Sequence, residues 1–453
     1  MKTSIVILVA LAFQLLSLEV ATGITVVSID SYGAIANDSS VGAAVSNSHA
    51  IAEALQKAAP GEAVLVPRYS HYYTFSSVVS DIADGIQLWI EGELIAVSNI
   101  TAWPYDGNDY LNILQIENCK DFVLTGHYLG AIRGQGYKWW VNTVFNFIDK
   151  TRPNMVEMTN CTNVVVESLR VYNSPRYHFH LSNMTDLIVR DIYIWVDVTA
   201  QRDLLEKAKV KRSTSGSGAW NLPMFPLNTD GIDPSGRNIL IKNITCQNFD
   251  DVVAVKPGKL LTDGCTQNVT VDGAKVIFGV GMSIGSVPPD SDINCIRDVW
   301  IRNVEFTNPL KAIYVKTNSG KDGFGIIDNI NYQNISIHDP ILWPIYIGPQ
   351  QQKEPDGGGD GIWPPPQPLV NVTNILLQNV TSDNGWLNAG VLRCAESNPC
   401  RGITLDNVHV SGWASDFYVC ENTQGTVTNS TPVPSCMVNN TMQQGMTTSQ
   451  NIL

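Results

Sequence analysis

The chain has 453 residues, with 29 Lys and Arg against 42 Asp and Glu, so its formal net charge is −13 when histidine is neutral. This acidic balance argues against a nucleic-acid partner, because phosphate binding needs a basic surface. Apolar residues make up 44% of the chain and charged residues 16%, which is enough to bury a large core and excludes disorder for most of the sequence.

The N-terminus has the pattern of a secretion signal. Lys2 precedes an apolar stretch from Ile5 to Leu18, and the small residues Ala21 and Gly23 offer a cleavage site. The apolar stretch is too short to span a bilayer. We therefore expect residues 1–23 to be removed as a signal peptide, and residues 24–453 to be a secreted, extracellular monomer with no membrane anchor.

Nine cysteines in a secreted chain favour disulfides over metal sites, and an odd number leaves one thiol unpaired. The closely spaced pairs Cys394/Cys400 and Cys420/Cys436 are the best candidates for local bridges. No Cys and His residues have the spacing of a zinc site, so no metal or cofactor is expected. Eleven N-x-S/T sequons predict a glycoprotein.

A short pattern recurs along the chain. It starts with Asn or Asp, alternates apolar residues over a β-branched segment, and is spaced mostly by 23 to 31 residues. The copies are NVVVESLRV at 163, DLIVRDIYI at 186, NILIKNITC at 238, NVTVDGAKV at 268, DVWIRNVEF at 298, NINYQNISI at 329, NILLQNVTS at 374 and GITLDNVHV at 402. Such repeats predict the stacked coils of a parallel β-helix, an all-β fold with one continuous core.

Three other features bear on this fold. The strands of a β-sandwich or a propeller also alternate apolar and polar residues. The connections between the strands here are too long for the hairpins of those folds, which favours the β-helix. The segment 48–58 has a helical period and is expected to cap the open N-terminal end of the column, where unpaired strand edges would otherwise be exposed. The spacing of 52 between the copies at 186 and 238 is interpreted as about two coils with a loop insertion at 198–223. The basic, then Ser- and Gly-rich stretch in that insertion favours a solvated loop.

Three aspartates are expected to meet on one outer face. Asp230 precedes Asp250 and Asp251 by 20 and 21 residues, which is about one coil, and adjacent coils lie about 4.8 Å apart. Carboxyl groups so close cannot all ionise freely, so one pKa must rise, as a general acid beside a general base requires. Glycoside hydrolysis needs such a pair. Asn, Asp and Gly are also ordinary corner residues, so on spacing alone the structural alternative stays open.

The sequence resembles the polygalacturonases and their relatives in glycoside hydrolase family 28. The resemblance covers most of the mature chain and rests on motifs that follow in the family's order. They are SYGA at 31, HAIAEALQKA and VLVP within 49–67, AIRGQGYKWW at 131, the stretch 152–183, NTDG at 228, DD at 250, GMSIGS at 281, YVKT at 314 and CAESNPC at 394.

The resemblance implies a single-domain, right-handed parallel β-helix that cleaves pectic polysaccharide with inversion of configuration and without a metal. By motif position, Asp250 resembles the general acid, and Asp230 with Asp251 resembles the pair that holds the nucleophilic water. Asn228 belongs to the same motif. Lys316 resembles a residue that binds a substrate carboxylate, a task that suits a lysine.

Lys256, in AVKPG just after the acid pair, points to the same substrate contact more weakly. For Lys256 a solvated position at the end of a rung is an equally good interpretation, and for Lys316 it is the weaker one.

Two departures from the family pattern concern the substrate. The family's Gly-His-Gly has Val280 in place of histidine, and the Arg of its Arg-Ile-Lys is Tyr314, which we place among the candidate substrate contacts. Both changes remove donors for an acidic sugar, so a rhamnogalacturonan hydrolase or an exo-galacturonidase is the alternative to a polygalacturonase. A catalytically inactive β-helix that binds cell-wall polysaccharide is the alternative from another class.

Overall fold

The structure is a computed structural model, and it describes residues 23–144, 151–197, 226, 228–351 and 364–437. Residues 1–22 of the predicted signal peptide and the predicted insertion at 198–223 lie outside the described residues. All the pairings between strands are parallel except one short antiparallel pair. The described chain is therefore a parallel β-helix, right-handed as parallel crossover connections require.

The described residues form 24 strands in one sheet. Those of the N-terminal half are β1 Val26–Ser28, β2 Ala63–Val66, β3 His71–Thr74, β4 Ser77–Ser80, β5 Gln87–Ile90, β6 Glu93–Ala96, β7 Leu114–Glu117, β8 Val123–Thr125, β9 Ala131–Arg133, β10 Val156–Thr159, β11 Thr162–Tyr172 and β12 Phe179–Trp195. Those of the C-terminal half are β13 Ile232–Val255, β14 Gly258–Lys259, β15 Thr266–Val287, β16 Asn294–Thr307, β17 Pro309–Thr317, β18 Gly325–His338, β19 Trp343–Gln350, β20 Val370–Gly385, β21 Gly390–Arg393, β22 Cys400–Gly412, β23 Tyr418–Glu421 and β24 Thr423–Thr428.

The repeat predicted from the sequence is the rung of the β-helix. The second residues of the eight copies pair in register from coil to coil and point into the core: Val164, Leu187, Ile239, Val269, Val299, Ile330, Ile375 and Ile403. Leu187 pairs directly with Ile239, so the spacing of 52 is one coil and not two. The extra length lies within that single coil, between Trp195 and Ile232.

Asparagine and aspartate turn the corners. The leading residues of the first seven copies all have φ between +54° and +58°, a conformation that Asn and Asp tolerate better than other side chains. Asparagines at other corners of the coils stack their side chains: the amide of Asn183 donates to Asn160 at 2.9 Å, and that of Asn379 donates to Asn334 at 3.1 Å. These asparagine ladders hold neighbouring coils in register on the outside of the molecule.

The N-terminal helix α1, Val41–Lys57, covers the first coils, and a second helix, α2, spans Tyr137–Val144. The cap prediction for 48–58 is confirmed, although the helix begins earlier than its hydrophobic period indicated. It starts after Ser40, whose side chain accepts a hydrogen bond from the backbone N–H of Ala43 at 3.2 Å. Its buried face, which includes Ile51 and Leu55, joins the main core.

Four disulfides cross-link the described chain. Two are the predicted pairs, Cys394–Cys400 and Cys420–Cys436. The other two, Cys119–Cys161 and Cys265–Cys295, join neighbouring coils and were not predicted. Cys246 is the unpaired thiol that the odd count required, and it lies in the core. Within the described part of the chain, no helix is both long and apolar enough to cross a membrane.

Candidate active site

The three predicted aspartates meet where neighbouring coils stack. Asp230 lies just before the start of β13, and Asp250 and Asp251 lie near its end. The backbone N–H of Gly231 donates to the carbonyl of Asp251 at 2.8 Å, which places Asp230 beside Asp250 and Asp251. One carboxylate oxygen from each of the three lies within 4.8 Å of the others. All three are buried, and Asp250 is the most exposed at 8%. The prediction that these residues share one outer face is met.

Both oxygens of Asp251 are bound by side chains from the next two coils. The hydroxyl of Ser283, on β15, donates to Oδ1 at 2.5 Å, and Nζ of Lys316, on β17, lies 2.6 Å from Oδ2. Lys316 is only 3% exposed, so this is a buried ion pair. The structure thus directs the ammonium of Lys316 at a candidate catalytic carboxylate, and not only toward substrate.

Asp250 is oriented by the backbone. Its Oδ2 accepts from the N–H of Asn228 at 2.8 Å, and its Oδ1 accepts from the N–H of Asp251 at 2.9 Å. The side-chain oxygen of Asn228 in turn accepts from Nη2 of Arg152 at 3.1 Å. Burial lowers the pKa of Arg152 to about 10, so the guanidinium remains charged at neutral pH. The backbone N–H of Asn228 therefore binds Asp250, and the side chain of Asn228 links this site to the buried guanidinium of Arg152.

A fourth aspartate and a lysine complete the cluster. Asp233 is fully buried, and its Oδ2 lies 3.2 Å from Nζ of Lys256, which is 3.9 Å from Oδ2 of Asp230. Burial, and then the charges of Asp233 and Asp250, raise the pKa of Asp230 well above its usual range. Burial also raises the pKa of Asp233. The raised pKa values of Asp230 and Asp233 favour uptake of a proton by this cluster.

The ammonium of Lys256 offsets the negative charge of Asp230 and Asp233. Burial alone would lower the pKa of Lys256, but the carboxylates of Asp233 and Asp230 outweigh that effect and raise it. The side chain keeps a quarter of its surface exposed, so it can also reach a ligand above the aspartates. The sequence predicted this lysine as a substrate contact, and the structure places it at the edge of the acidic cluster.

His178 binds the backbone carbonyl of Asp230 and so holds this residue in place. Its ring is fully buried, its Nδ1 lies 3.0 Å from the carbonyl oxygen of Asp230, and its backbone N–H donates to the same carbonyl at 2.8 Å. Burial lowers the pKa of His178 to about 4, so the imidazole is neutral at working pH. These contacts give His178 a structural role, in which it holds the backbone beside Asp230.

Tyr314 does not line a surface in this structure. Its side chain is 1% exposed, packs edge-on against Tyr346 at 5.3 Å between ring centroids, and lies beneath the ammonium of Lys316 at 4.6 Å. The predicted contact between Tyr314 and substrate is therefore replaced by a contact with Lys316. Val280, which stands where the family has histidine, is fully buried in the same apolar cluster.

We expect the ring of Tyr314 to hold Lys316 against Asp251. Replacing Tyr314 by leucine should lower kcat by up to about 30-fold, since a desolvated cation–π contact is worth about 2 kcal/mol. Tyr314→Phe keeps the ring face and should retain most of the activity. Steady-state kinetics on both variants checks this, and equal losses for Leu and Phe would contradict it.

The three clustered carboxylates could also hold a divalent cation. The ammonium groups of Lys316 and Lys256 already provide positive charge at 2.6 Å from Asp251 and 3.2 Å from Asp233. We therefore expect EDTA to leave activity unchanged after dialysis. Loss of activity that calcium restores would show that the carboxylates act as metal ligands.

Sequence reasoning missed Asp233, Ser283 and Arg152. Ser283 lies 32 residues from Asp251 in the chain, so only the stacking of coils brings them together. Asp233 carried a usable signal, because it follows Asp230 by three residues, at the start of the strand β13. Arg152 opens the stretch 152–183 of the family resemblance, but no spacing linked it to Asn228, which lies 76 residues further along the chain.

Comparisons with known proteins agree with this geometry. An exopolygalacturonase of Zea mays is 24% identical over 390 residues, which cover 83% of this chain and 83% of the relative. Exopolygalacturonase B of Aspergillus niger is 26% identical over 389 residues, covering 82% of this chain and 80% of that relative.

Solved structures share the fold. The endo-xylogalacturonan hydrolase from Aspergillus tubingensis matches with a TM-score of 0.68 at 20% identity, covering 90% of this chain and 99% of that chain. The polygalacturonase from Erwinia carotovora matches with a TM-score of 0.60 at 19% identity, covering 84% of this chain and 93% of that chain.

The family model for glycosyl hydrolases family 28 matches residues 59–432. This match spans the aspartate cluster, the lysines beside it and most of the stacked coils. The chain therefore belongs to glycosyl hydrolase family 28, and it is a glycosidase with the parallel β-helix of that family.

Proposed function

We propose that the protein is an extracellular enzyme that hydrolyses the galacturonan backbone of pectin with inversion of configuration. The observation that carries the proposal is the cluster of Asp230, Asp250 and Asp251 within 4.8 Å, with Lys316 bound to Asp251. Relatives named exopolygalacturonase support the substrate class. Four disulfides support an oxidising, extracellular location.

Asp250 is the proposed general acid. It is the most exposed of the three carboxyl groups, and two backbone N–H groups fix its orientation. A proton donor must reach the oxygen of the leaving sugar, so the group nearest the surface suits that role. The proton that the free cluster keeps on Asp230 must then pass within the cluster, or Asp230 must itself act as the acid.

Asp230 and Asp251 are the proposed water-holding pair. The side chain of Asp251 is held in place by Lys316 and Ser283, and a carboxylate fixed in this way can accept a further hydrogen bond from water. Among the described residues, Oδ1 of Asp230 has no hydrogen-bond partner, which leaves that oxygen available to the attacking water or to a sugar hydroxyl. Both oxygens of Asp251 are engaged, which makes it a poor nucleophile for a covalent intermediate.

Inversion needs its own test, because the spacing favours the other outcome. Carboxyl groups of inverting enzymes usually lie about 6.5–9.5 Å apart and those of retaining enzymes about 5–5.5 Å apart, whereas oxygens of this cluster lie within 4.8 Å. With three carboxyl groups in the cluster, the attacking water can bind between Asp230 and Asp251 while Asp250 acts as the acid. A wide separation between two carboxyl groups is then not needed to hold the water. Proton NMR of the first product formed should show the anomer opposite to the cleaved linkage.

A second candidate acts on the same scaffold. Val280 and Tyr314 are buried, so neither presents a charged side chain to substrate at the positions where the family has histidine and arginine. A site with fewer donors for a carboxylate favours a backbone that includes a neutral sugar, such as rhamnogalacturonan, or an exo-acting enzyme. A catalytically inactive binding protein is less consistent with four buried aspartates, because their repulsion costs stability without a function.

The deciding experiment measures reducing-end release from polygalacturonate and from rhamnogalacturonan in parallel, with Asp250→Asn as the matched control. Release by the wild type alone establishes hydrolysis and identifies the backbone, and product sizes separate endo from exo action. No release from either polymer, together with retained binding, would support the inactive β-helix instead.

The pH profile should be bell-shaped. Burial and neighbouring charge raise the pKa of Asp230 above its ordinary value of 3.8, so the cluster keeps its proton in mildly acidic solution. Activity should fall as pH rises through that raised pKa and the proton is lost. On the acid side it should fall when the carboxylate that activates water takes up a proton. Measurement of kcat/KM from pH 3 to pH 8 checks this, and a flat profile would contradict it.

A further inference from the structure

We propose that three exposed aromatic side chains near the C-terminal end of the β-helix form a second binding surface, which takes a neutral polysaccharide. The three are Trp386, Trp413 and Phe417, and we call them the aromatic platform. This inference goes beyond the proposed function, because the platform lies away from the aspartates and binding there breaks no bond. It holds the enzyme on a polymer other than the one that it hydrolyses.

The fold places the three side chains together. Gly385 pairs with Gly412, which sets Trp386 beside Trp413 on adjacent coils, about 4.8 Å apart along the axis. Phe417 follows Trp413 in the same turn. The two turns lead to β21 and β23, which pair with each other in the sheet that carries Asp251 further along the axis. The aromatic residues are therefore neighbours on one edge of that sheet.

The platform is well exposed. Trp413 is 87% exposed, Trp386 is 70% exposed and Phe417 is 52% exposed. In the part of the chain that the structure describes, no other tryptophan is exposed. With a surface of about 150–250 Å² for each aromatic side chain, the three expose about 400 Å² together. Apolar side chains that reach solvent singly are common, whereas a contiguous patch of this size marks an interaction site.

Hydrogen bonds hold the two turns in place. The backbone N–H of Trp413 donates to the carbonyl of Gly385 at 2.8 Å, and the hydroxyl of Ser415 donates to the carbonyl of Leu387 at 3.1 Å. Among the described residues, neither indole N–H of the platform has a hydrogen-bond partner, so both can donate to a ligand. A surface that is rigid before binding loses little entropy when it binds.

The platform is separate from the active site. Strand pairing aligns Asp251, Val280, Lys311 and Trp343 on successive coils, and the indole of Trp343 donates to Asn388 on the next coil at 3.0 Å. The platform begins two residues before Asn388, so it lies about 19 Å from Asp251 along the axis. Val280 and Lys311 are 0% exposed. No continuous row of exposed side chains in this column therefore joins the two places.

The charge of these turns favours a neutral ligand. The segments 383–390 and 410–418 contain Asp383 and Asp416 and no lysine or arginine. The two carboxylates repel an anionic polymer such as galacturonan, and no cation of these segments offsets them. A neutral pyranose ring presents a flat C–H face to an aromatic ring and hydroxyls to an indole N–H. A neutral polysaccharide with flat rings is therefore the occupant that fits.

The size of the platform argues against a protein partner. Two copies that met face to face through these side chains would bury about 800 Å² in total, which is below the about 1,000 Å² that a stable protein interface needs. A polysaccharide chain needs only a few sugar rings in contact with aromatic side chains. The exposed area therefore suits a single sugar chain better than a second copy of the protein.

Calorimetric titration of the full chain with cellohexaose, a neutral oligosaccharide with flat rings, tests the platform. The wild type should bind it. Trp386→Ala and Trp413→Ala should each bind it about tenfold more weakly or worse, the loss typical of truncating a tryptophan at the centre of a binding surface. Tyr69→Ala, which removes another exposed aromatic side chain, is the matched control and should bind as the wild type does. Thermal unfolding should be unchanged in all three variants.

No binding of cellohexaose by the wild type, or equal binding by Trp413→Ala, would overturn the platform. A galacturonate hexamer that binds more weakly to Trp413→Ala than to the wild type would overturn its preference for a neutral polymer. If light scattering shows a wild-type dimer that Trp413→Ala converts to a monomer, the surface serves self-association instead. None of these outcomes depends on reducing-end release, so the platform and the proposed hydrolysis can fail separately.

Discussion

Replacing Asp250 by asparagine should lower kcat by about 10²- to 10⁴-fold on the polymer, the range expected when a general acid is lost. The amide is nearly the same size as the carboxyl group, but its single oxygen can accept only one of the backbone N–H bonds that Oδ2 and Oδ1 of Asp250 accept from Asn228 and Asp251. The fold should be preserved because the side-chain volume is unchanged, with KM changed little. Steady-state kinetics and a thermal unfolding curve on the same preparation check both statements.

An activated substrate separates the acid from the base. An aryl glycoside leaves as a stable phenolate and needs no proton, so the Asp250→Asn variant should recover most of its activity on it. Asp230→Asn should remain defective on both substrates if Asp230 holds the water. The reverse pattern would make Asp230 the acid, as its raised pKa permits. Asp263→Asn, at an exposed position, is the control and should behave as the wild type.

Replacing Lys316 by methionine should destabilise the protein by about 3–5 kcal/mol, the usual effect of removing one partner of a buried ion pair. Lys316 and Asp251 are 3% and 2% exposed, so the carboxylate of Asp251 would remain buried with only Ser283 beside it. Denaturant unfolding of the variant and the wild type measures this loss of stability.

The matched control is Lys275→Met, an exposed lysine on β15 that should change stability by less than about 0.5 kcal/mol. The double variant Lys316→Met/Asp251→Asn completes a cycle, and it should be less destabilised than the sum of the single changes. Additive effects would show that the pair is not coupled in solution. Activity of Lys316→Met should also fall, because Asp251 loses the ammonium that holds its Oδ2 in place.

Much of the fold could be predicted because its signals are local. Each rung needs an Asn, Asp or Gly at a corner with positive φ and a β-branched segment with a period of two, and both fall within ten residues of sequence. The copies at 238 and 268 therefore identified two adjacent coils correctly. The copy at 186 was assigned the wrong number of coils, because sequence spacing cannot distinguish a long coil from two short ones.

The site was predicted only in part, since most of its contacts join different coils. The cluster of Asp230, Asp250 and Asp251 could be predicted because their separation in the sequence equals about one coil. Ser283 and Lys316 bind Asp251 from two further coils, and no sequence spacing indicated which outward side chains would face it. The disulfide Cys265–Cys295 did carry a signal: its separation of 30 equals the repeat spacing, which places both cysteines at equivalent positions on adjacent coils.

The asparagine ladders have a consequence for glycan attachment. Asn160 and Asn183 stack on adjacent coils, as do Asn334 and Asn379, and all four belong to N-x-S/T sequons. Each side-chain nitrogen uses one hydrogen in the ladder and has a second that an attached glycan would replace. Coils about 4.8 Å apart leave no room for two branched glycans side by side. Each pair can therefore carry one glycan at most, and steric exclusion between neighbours, more than sequon number, limits how much carbohydrate this face can display.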